Sequence, residues 1–304
     1  MIDVVIVGGG PAGLSAALVL GRCRRRVLLC DTGRPRNASA LELHGYLTRD
    51  GIAPRDLLSI GREELRPYGV ELRDVAVDDV VCQGDAFEVR LATGERIATR
   101  KVLVATGVRD HLPDIEGLEP CYGISVHHCP YCDGWEERDR RLAVLGQGAA
   151  AAALALSLKT WSPHVVVCTL GPARVSARHR AQLAEHAIPI VDGPVARLEH
   201  DRGRVRRLLT ARGREVDCDA VFFTTGQSAQ WDLPRRLGCE LTRKGTVKTD
   251  LLGQTRVPGV YVVGDASRDV QFVIVAAAEG AKAGVAINKA LQASAGLAAA
   301  SAHP

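Results

Sequence analysis

The sequence predicts an α/β protein with two Rossmann-like, three-layer nucleotide-binding domains, the second inserted in the first. A buried strand followed by a glycine turn and a helix occurs twice, with turns that begin at Gly8 and at Gly146. Each copy is closed downstream by an apolar strand that ends in a small-residue turn, at 102–107 and 221–226. A length of 304 residues also exceeds what one hydrophobic core usually holds.

The first copy starts at the N-terminus. Residues 2–7 are apolar and predict a buried strand, which leads into the glycine turn 8–13 and a helix over 14–20. Unpaired N–H groups and the helix dipole at such a turn can hold a pyrophosphate. The next apolar run ends in Asp31, 23 residues after Gly8, and this spacing suits an acid that binds a ribose.

The second copy interrupts the first. Residues 142–145 predict a strand that precedes the second glycine turn and an alanine-rich helix. Further on, 257–265 predict a buried strand that ends in Asp265, and a helix follows over 273–291. Because ligands collect at the carboxyl ends of parallel strands, we assign this return to the first domain.

The predicted domain boundaries follow from these assignments. The first domain comprises 1–112 and 246–304, and the inserted domain comprises 113–245. Two polar segments rich in turn residues, 113–117 and 243–246, are the predicted hinges.

Composition excludes several classes of protein. With 46% hydrophobic and 24% charged residues, the chain is not mostly disordered. A net charge of +4 gives no reason to expect a nucleic-acid partner. No apolar stretch is long enough to span a membrane, and the N-terminus lacks a charged segment followed by a cleavable apolar run. We therefore expect a cytoplasmic protein without a membrane partner.

Redox chemistry is predicted at one cysteine pair. Of the nine cysteines, only Cys129 and Cys132 have the two-residue spacing that lets a pair cycle between dithiol and disulfide. The adjacent Asp133 could carry the proton that each exchange requires. A zinc site with His127 or His128 is an alternative, although no second cysteine pair or suitably spaced histidine pair is present. A second alternative is that the two cysteines are inert core residues, which the proline between them and the polar residues beside them disfavour.

Taken in order, these motifs resemble the low-molecular-weight thioredoxin reductases over about residues 1–293. The motifs that carry the resemblance are the glycine turn 8–13, the strand end 105–107, the redox segment 129–134 and the strand 257–265. The resemblance implies a homodimer, FAD in the first domain, and a rotating inserted domain that carries the active-site disulfide. It implies FAD contacts at Gly8, Gly10, Pro11, Ala12, Gly13, Asp31, Asn37, His44, Thr106, Gly107, Gly264, Asp265, Gln271 and Phe272.

The chain departs from this family where NADPH should bind. A His-Arg-Arg cluster that grips the 2′-phosphate is replaced by Thr169, Leu170 and Gly171, and an Asn-Thr pair in the phosphate turn is replaced by Ala149 and Ala150. Losing two charge-assisted phosphate contacts raises a dissociation constant by roughly a hundredfold or more. The sequence therefore argues against NADPH.

Two further features bear on the cofactors. Three arginines in the next turn could bind the 2′-phosphate of NADPH in place of the missing cluster, or could simply form a solvated surface: Arg174, Arg178 and Arg180. Near the flavin, the family's Arg-Gln-Ala segment becomes Gln271, Phe272 and Val273, which would place an aromatic side chain against the ring system.

The function predicted is that of an FAD-dependent thiol–disulfide oxidoreductase. Electrons pass from flavin to the Cys129–Cys132 disulfide and on to a thioredoxin-like protein or a small disulfide, from a donor other than NADPH, such as ferredoxin. By resemblance, Cys132 takes electrons from the flavin. Cys129 then attacks the substrate, and Asp133 handles the proton.

Three alternatives remain open. One is an oxygen-dependent dithiol oxidase of the gliotoxin/holomycin type, in which a histidine normally follows the second cysteine. This chain has Asp133 there, but His127 and His128 on the other side keep the oxidase open. The others are a conventional NADPH-dependent thioredoxin reductase and a non-enzymatic redox sensor.

Overall fold

The computed structural model describes residues 1–230, 232–243, 245–267 and 270–297. The strands are β1 Ile2–Val7, β2 Val27–Asp31, β3 Glu71–Asp74, β4 Val77–Gln83, β5 Ala86–Leu91, β6 Arg96–Val104, β7 Val108–Asp110, β8 Val126–His127, β9 Leu142–Gly146, β10 Val165–Thr169, β11 Ile190–Val191, β12 Val195–Asp201, β13 Arg204–Thr210, β14 Glu215–Asp217, β15 Ala220–Phe223, β16 Gln227–Ala229 and β17 Val260–Val262. The helices are α1 Pro11–Arg22, α2 Pro54–Leu65, α3 Pro130–Asp133, α4 Gly148–Leu158, α5 Ala177–Glu185, α6 Asp232–Arg236 and α7 Val273–Ser294, with 3₁₀ turns at Arg66–Tyr68, Glu119–Cys121 and Gly264–Ala266.

The chain divides into two compact units, and the predicted α/β fold is confirmed. One unit comprises Met1–Ala38, Gly45–Arg109 and the chain from Ser228 onward, and the other comprises Ser39–His44 and Asp110–Gln227. Strands β7 and β16 pair in a two-stranded sheet. Among the described helices, none is both long and apolar enough to cross a membrane.

The first unit is built on a sheet with the order β3-β2-β1-β6-β5-β4, and β17 also pairs with β6. Strands β1, β2, β3, β6 and β17 are parallel, whereas β4 and β5 run antiparallel to their neighbours. In β1 the side chains of Val5 and Val7 enter one core and those of Val4 and Ile6 enter another. This burial of both faces explains the continuous apolar run that predicted the strand.

Helices α1 and α7 cover one face of this sheet through a close contact. A Cβ at Gly280 of α7 would overlap the carbonyl oxygen of Ala12 in α1, so only glycine allows this approach. The contact fixes the N-terminal end of α1, which follows the first glycine turn.

The second unit contains a parallel sheet with the order β11-β10-β9-β15-β8 and a separate antiparallel sheet of β12, β13 and β14. Neighbouring residues of β15 point to opposite faces, since Phe222 lies in one core cluster and Phe223 in the other. The order places the carboxyl ends of β9 and β10 side by side, with Gly146 paired to Thr169.

The observed units differ from the predicted boundaries at three places. The segment 228–245 belongs to the first unit, because Leu233, Leu237 and Cys239 are buried in its core. Across the predicted hinge 243–246, the Thr242 N–H donates a hydrogen bond to the Thr246 carbonyl, 2.8 Å. Residues 110–112 belong to the second unit. Residues 39–44 belong to the second unit. Residues 298–304, predicted to end the first domain, lie outside the described residues.

Candidate functional site

The first glycine turn is tightly packed against the protein on one side and open on the other. Gly8 has φ +107°, and a Cβ there would overlap the carbonyl oxygen of Ala105. At Gly10, the residue preceding α1, a Cβ would meet no atom within 4 Å. The open side therefore lies at a helix N-terminus whose first N–H groups have no side-chain cap, which suits a phosphate group.

Other predicted cofactor residues lie at the same edge of the sheet. Asp31 ends β2, Thr106 and Gly107 follow β6, and Gly264 and Asp265 follow β17. Because β2, β1, β6 and β17 are parallel neighbours, their carboxyl ends meet at one edge. The structure thus brings these residues to the carboxyl edge that the glycine turn occupies.

Asp31 is held by an arginine that sequence reasoning missed. Arg62 of α2 donates to the Asp31 carboxylate at 2.9 Å and to Asp74 at 2.8 Å. These hydrogen bonds, first to Asp74 and then to Asp31, raise the pKa of Arg62 above its ordinary value against a smaller opposing effect of burial. A Cβ at Gly9 would lie 2.7 Å from the Asp31 carboxyl carbon, so the carboxylate reaches the glycine turn.

A second polar cluster joins distant parts of the first unit. Arg36 donates to Asp265 at 3.0 Å and to the side-chain oxygen of Gln271 at 2.6 Å. The side-chain nitrogen of Gln271 is buried and has no hydrogen-bond partner within the described residues. Phe272 precedes α7 and is half-buried, as is Asn37. An unpaired buried N–H in this cluster fits a site whose ligand would supply an acceptor.

His44 lies in the other unit. The sequence analysis places it among the contacts of the first domain, but its segment packs with the second unit. There the imidazole Nε2 lies 3.5 Å from Glu136 and 3.7 Å from Glu42. The reason is packing that sequence does not reveal: a Cβ at Gly123 would lie 2.7 Å from the Ser39 carbonyl carbon, so the two segments are in close contact.

The redox pair forms a disulfide at the start of a single helical turn. Cys129 precedes α3 and is joined to Cys132, with the two Cα atoms 5.3 Å apart. Trp161 packs beneath this turn, since a Cβ at Gly134 would lie 2.8 Å from its ring. Tyr131, between the two cysteines, is exposed. Among the described residues, no group of three His, Cys, Asp or Glu side chains is arranged to hold a metal ion.

A buried histidine links the redox turn to a buried acid. The His127 imidazole is 5% exposed, with Nδ1 3.3 Å from the Asp133 carboxylate and Nε2 3.6 Å from Glu137. Glu137 is 2% exposed and accepts from Arg140 at 2.8 Å, with Arg204 at 3.6 Å. Sequence reasoning noticed the histidine but missed Glu137 and both arginines, because they belong to a charged stretch and a strand that are typical of a surface.

Two carboxylates stabilise the protonated form of this histidine. Burial alone would lower the pKa of His127, but the hydrogen bonds and charges of Asp133 and Glu137 outweigh it and raise the pKa to about 9. The ring is therefore an imidazolium at neutral pH, and Asp133 is paired with a cation.

This buried imidazolium predicts a loss of stability at alkaline pH. The folded-state pKa of His127 is about 9, above the 6.5 of an ordinary histidine. Its protonation therefore stabilises the folded protein fully below pH 6.5, and this stabilisation is lost as the pH rises through 9. We expect the free energy of unfolding to fall by on the order of 2–3 kcal/mol over this range. Urea unfolding at both ends of the range measures it, and His127→Gln should remove this part of the pH dependence. Equal pH slopes for wild type and variant would contradict the assignment.

The second glycine turn is engaged by the chain itself. The N–H of Gly148, at the start of α4, donates to the carbonyl of Ala173 at 2.9 Å. Ala173 and Val175 are buried in the core below. Asp192 accepts from the Ala173 N–H at 3.0 Å and from the Thr169 hydroxyl at 3.3 Å. The loop after β10 is thereby fastened over the turn.

The neighbouring cations lie on exposed residues. Arg174 belongs to the loop itself, between the buried Ala173 and Val175, whereas Arg178 and Arg180 lie on α5. Ala149 and Ala150 offer no side-chain donor at the start of α4.

Comparison with known proteins extends over nearly the whole chain. Residues 2–280 match the family described as Pyridine nucleotide-disulphide oxidoreductase. A probable thioredoxin reductase of Arthroderma benhamiae is 31% identical, over 88% of this chain and 74% of that protein. The crystal structure of HlmI is 40% identical and covers 98% of both chains with a TM-score of 0.90. A putative thioredoxin reductase TrxB from Bacillus anthracis is 30% identical, over 97% of this chain and 100% of that one, with a TM-score of 0.92.

Proposed function

This chain belongs to the pyridine nucleotide-disulphide oxidoreductase family, and we propose that it works with an electron donor other than NADPH. It is a flavin disulfide oxidoreductase that resembles the thioredoxin reductases. In the proposed reaction, electrons pass from FAD to the Cys129–Cys132 disulfide and on to a thioredoxin-like protein or a small disulfide. Reduced ferredoxin or another one-electron donor takes the place of NADPH, and the active form is a homodimer.

FAD fits the residues of the first unit. When bound, it supplies a group that can accept single electrons and pass on two. We assign its pyrophosphate to the open side of the turn at Gly10 and its ribose to Asp31, which Arg62 holds in place. The unpaired buried N–H of Gln271 supports a flavin acceptor beside Phe272.

One observation carries the proposal about the donor. In the second glycine turn, the N–H of Gly148 already donates a hydrogen bond to a carbonyl of the same chain. A dinucleotide at this turn would need the Gly148 N–H that Ala173 accepts. Displacing the loop would expose Ala173 and Val175 and break the hydrogen bonds to Asp192, and each lost bond costs about 1 kcal/mol. The one arginine of this loop, Arg174, is exposed, and we infer that it does not replace these contacts.

An anaerobic donor screen tests this proposal. We expect reduced ferredoxin to bleach the oxidised flavin rapidly. NADPH and NADH should bleach it slowly, because they bind at least roughly a hundredfold more weakly than NADPH binds to a site with a 2′-phosphate clamp. Stopped-flow absorbance of the holoenzyme measures both rates, and photochemical reduction is the control that the flavin is competent. Rapid bleaching by NADPH would contradict the proposal.

The acceptor half of the reaction needs only the chain's own residues. In the proposed scheme the Cys129 thiolate attacks the acceptor disulfide, and Cys132 then resolves the mixed disulfide. The exposed Tyr131 beside the pair gives the acceptor access to this turn. The similarity to thioredoxin reductases favours a thioredoxin-like acceptor.

A dithiol oxidase is the second candidate, because the His127–Asp133 pair lies beside the redox turn. Dithiol oxidation requires a group that accepts thiol protons, and the Asp133 carboxylate, 3.3 Å from the imidazole, directly follows Cys132. Oxygen uptake with small dithiols as substrates tests this candidate. No uptake above that of free flavin would remove it.

A further inference from the structure

The charged cluster behind the redox turn contains a proton that the proposed scheme leaves unused. We propose that His127 is a positioning residue that supplies, through Asp133, the proton exchanged at the Cys129–Cys132 pair. This inference deepens the proposed function and rests on its thiol–disulfide chemistry, in either direction of electron flow.

The geometry gives His127 a fixed orientation. Its Nδ1 lies 3.3 Å from Asp133, the residue directly after Cys132, and its Nε2 lies 3.6 Å from Glu137. The ring also packs on Phe222, with centroids 5.4 Å apart. The imidazole is therefore held between one acid at the redox turn and one acid deeper in the unit.

Glu137 lies among cationic groups. It is almost fully buried, and its two oxygens face Arg140 at 2.8 Å and Arg204 at 3.6 Å. These partners fix the carboxylate on the side of the imidazole opposite Asp133. Asp133 is partly exposed and is the member of the cluster closest in sequence to the thiols.

The chemistry of this pair suits a thiol better than a lone carboxyl does. An ordinary aspartic acid, with a pKa of about 3.9, holds almost no proton at neutral pH, whereas a thiol has a pKa of about 8.5. The pKa of His127, which burial lowers but the two acids raise to about 9, is close to that of a thiol. Proton transfer between groups of similar pKa costs little in either direction.

The proton and electron balance of the reductive direction is complete. The Cys129 thiolate attacks one sulfur of the acceptor disulfide, and a mixed disulfide forms as the acceptor S–S bond breaks. The first acceptor thiolate leaves with a proton from Asp133, which takes a proton from His127 in turn. Cys132 passes its proton to the second leaving sulfur as its own sulfur closes the enzyme disulfide. Two thiols of the acceptor are formed, two thiols of the protein are oxidised, and His127 is left neutral until it is reprotonated.

A comparison of two leaving groups tests the proposal in a single turnover. The enzyme is first reduced to the dithiol form, and the reductant is removed. It is then mixed anaerobically with a dialkyl disulfide, whose thiolate needs a proton in order to leave, or with an aryl disulfide, whose thiolate leaves without one. For His127→Gln we expect the dialkyl reaction to slow by about 100-fold at pH 7 and the aryl reaction to stay within about threefold. In wild type, the dialkyl rate falls as the pH rises through 9, and the variant lacks this inflection.

The control is His186→Gln, which changes an exposed histidine at the end of α5 and should leave both rates unchanged. Equal slowing of both disulfides by His127→Gln would show a merely structural role and overturn the proposal, as would no slowing at all. If the variant does not fold, an NMR titration of His127 in the wild-type protein decides, because an inflection near 6.5 instead of 9 overturns it. None of these measurements uses an electron donor, so they fail or succeed independently of the NADPH question.

Discussion

Cys132→Ser is expected to lower steady-state turnover by about 10³-fold or more while the FAD content stays at the wild-type level. The enzyme disulfide disappears, and Cys129 is left without the partner to which it is bonded. Within the described residues the other seven cysteines are free, and burial raises the pKa of Cys30 and Cys121 to about 11 and that of Cys168 to about 12. Thiols with such pKa values are almost entirely protonated at neutral pH and are poor nucleophiles.

The matched control is Cys82→Ser, which removes an exposed thiol from β4 of the first unit and should leave turnover unchanged. Disulfide reduction and dithiol oxidation are both assayed, each with the donor or acceptor that the screen identifies. Turnover of Cys132→Ser within tenfold of wild type would exclude the disulfide from the reaction. A wild-type protein that binds FAD but turns over neither kind of substrate would favour the redox sensor over both enzymes.

Features that depend on local sequence could be predicted. The strand–turn–helix units at Gly8 and Gly146 follow from buried strands, whose apolar residues are consecutive, and from turns that exclude a Cβ. The cysteine pair was visible because its spacing of two intervening residues allows a disulfide within one helical turn.

Features that depend on distant contacts could not. The return to the first unit occurs at Ser228 and not at 246, because Leu233 and Leu237 pack against strands more than a hundred residues earlier. Turn residues at 242–246 mark a turn but do not indicate which domain it serves. Arg36 and Gln271, which are joined by a hydrogen bond, are 235 positions apart in the sequence.

The charged stretch after the redox turn is the most instructive case. Residues 136–141 comprise three acids and three arginines, a composition typical of a solvated surface. The structure instead buries Glu137 against His127, leaves Glu136 half-buried and exposes residues 138–141. Only the fold shows which of these acids is buried. The cysteine motif by itself indicates Asp133 as the proton carrier and does not reveal that His127 is paired with it.

Two substitutions in the first glycine turn are expected to have opposite effects. In Gly8→Ala the new Cβ would overlap the Ala105 carbonyl at a φ of +107°, so we expect the free energy of unfolding to fall by about 2–4 kcal/mol. In Gly10→Ala the backbone, at φ −72°, already suits alanine and the Cβ meets nothing within 4 Å. Its apoprotein should therefore be as stable as wild type or slightly more stable.

The two variants separate a glycine that the fold needs from one that a ligand needs. If the space above Gly10 receives the pyrophosphate of FAD, a methyl group there blocks the close approach, and Gly10→Ala should lower the affinity for FAD by roughly a hundredfold in a protein that still folds. Urea unfolding of the apoproteins and flavin absorbance after dialysis measure the two effects independently. Full retention of flavin by Gly10→Ala would mean that the open side of this turn is not the phosphate site. A stable variant without flavin would instead assign the space to the cofactor.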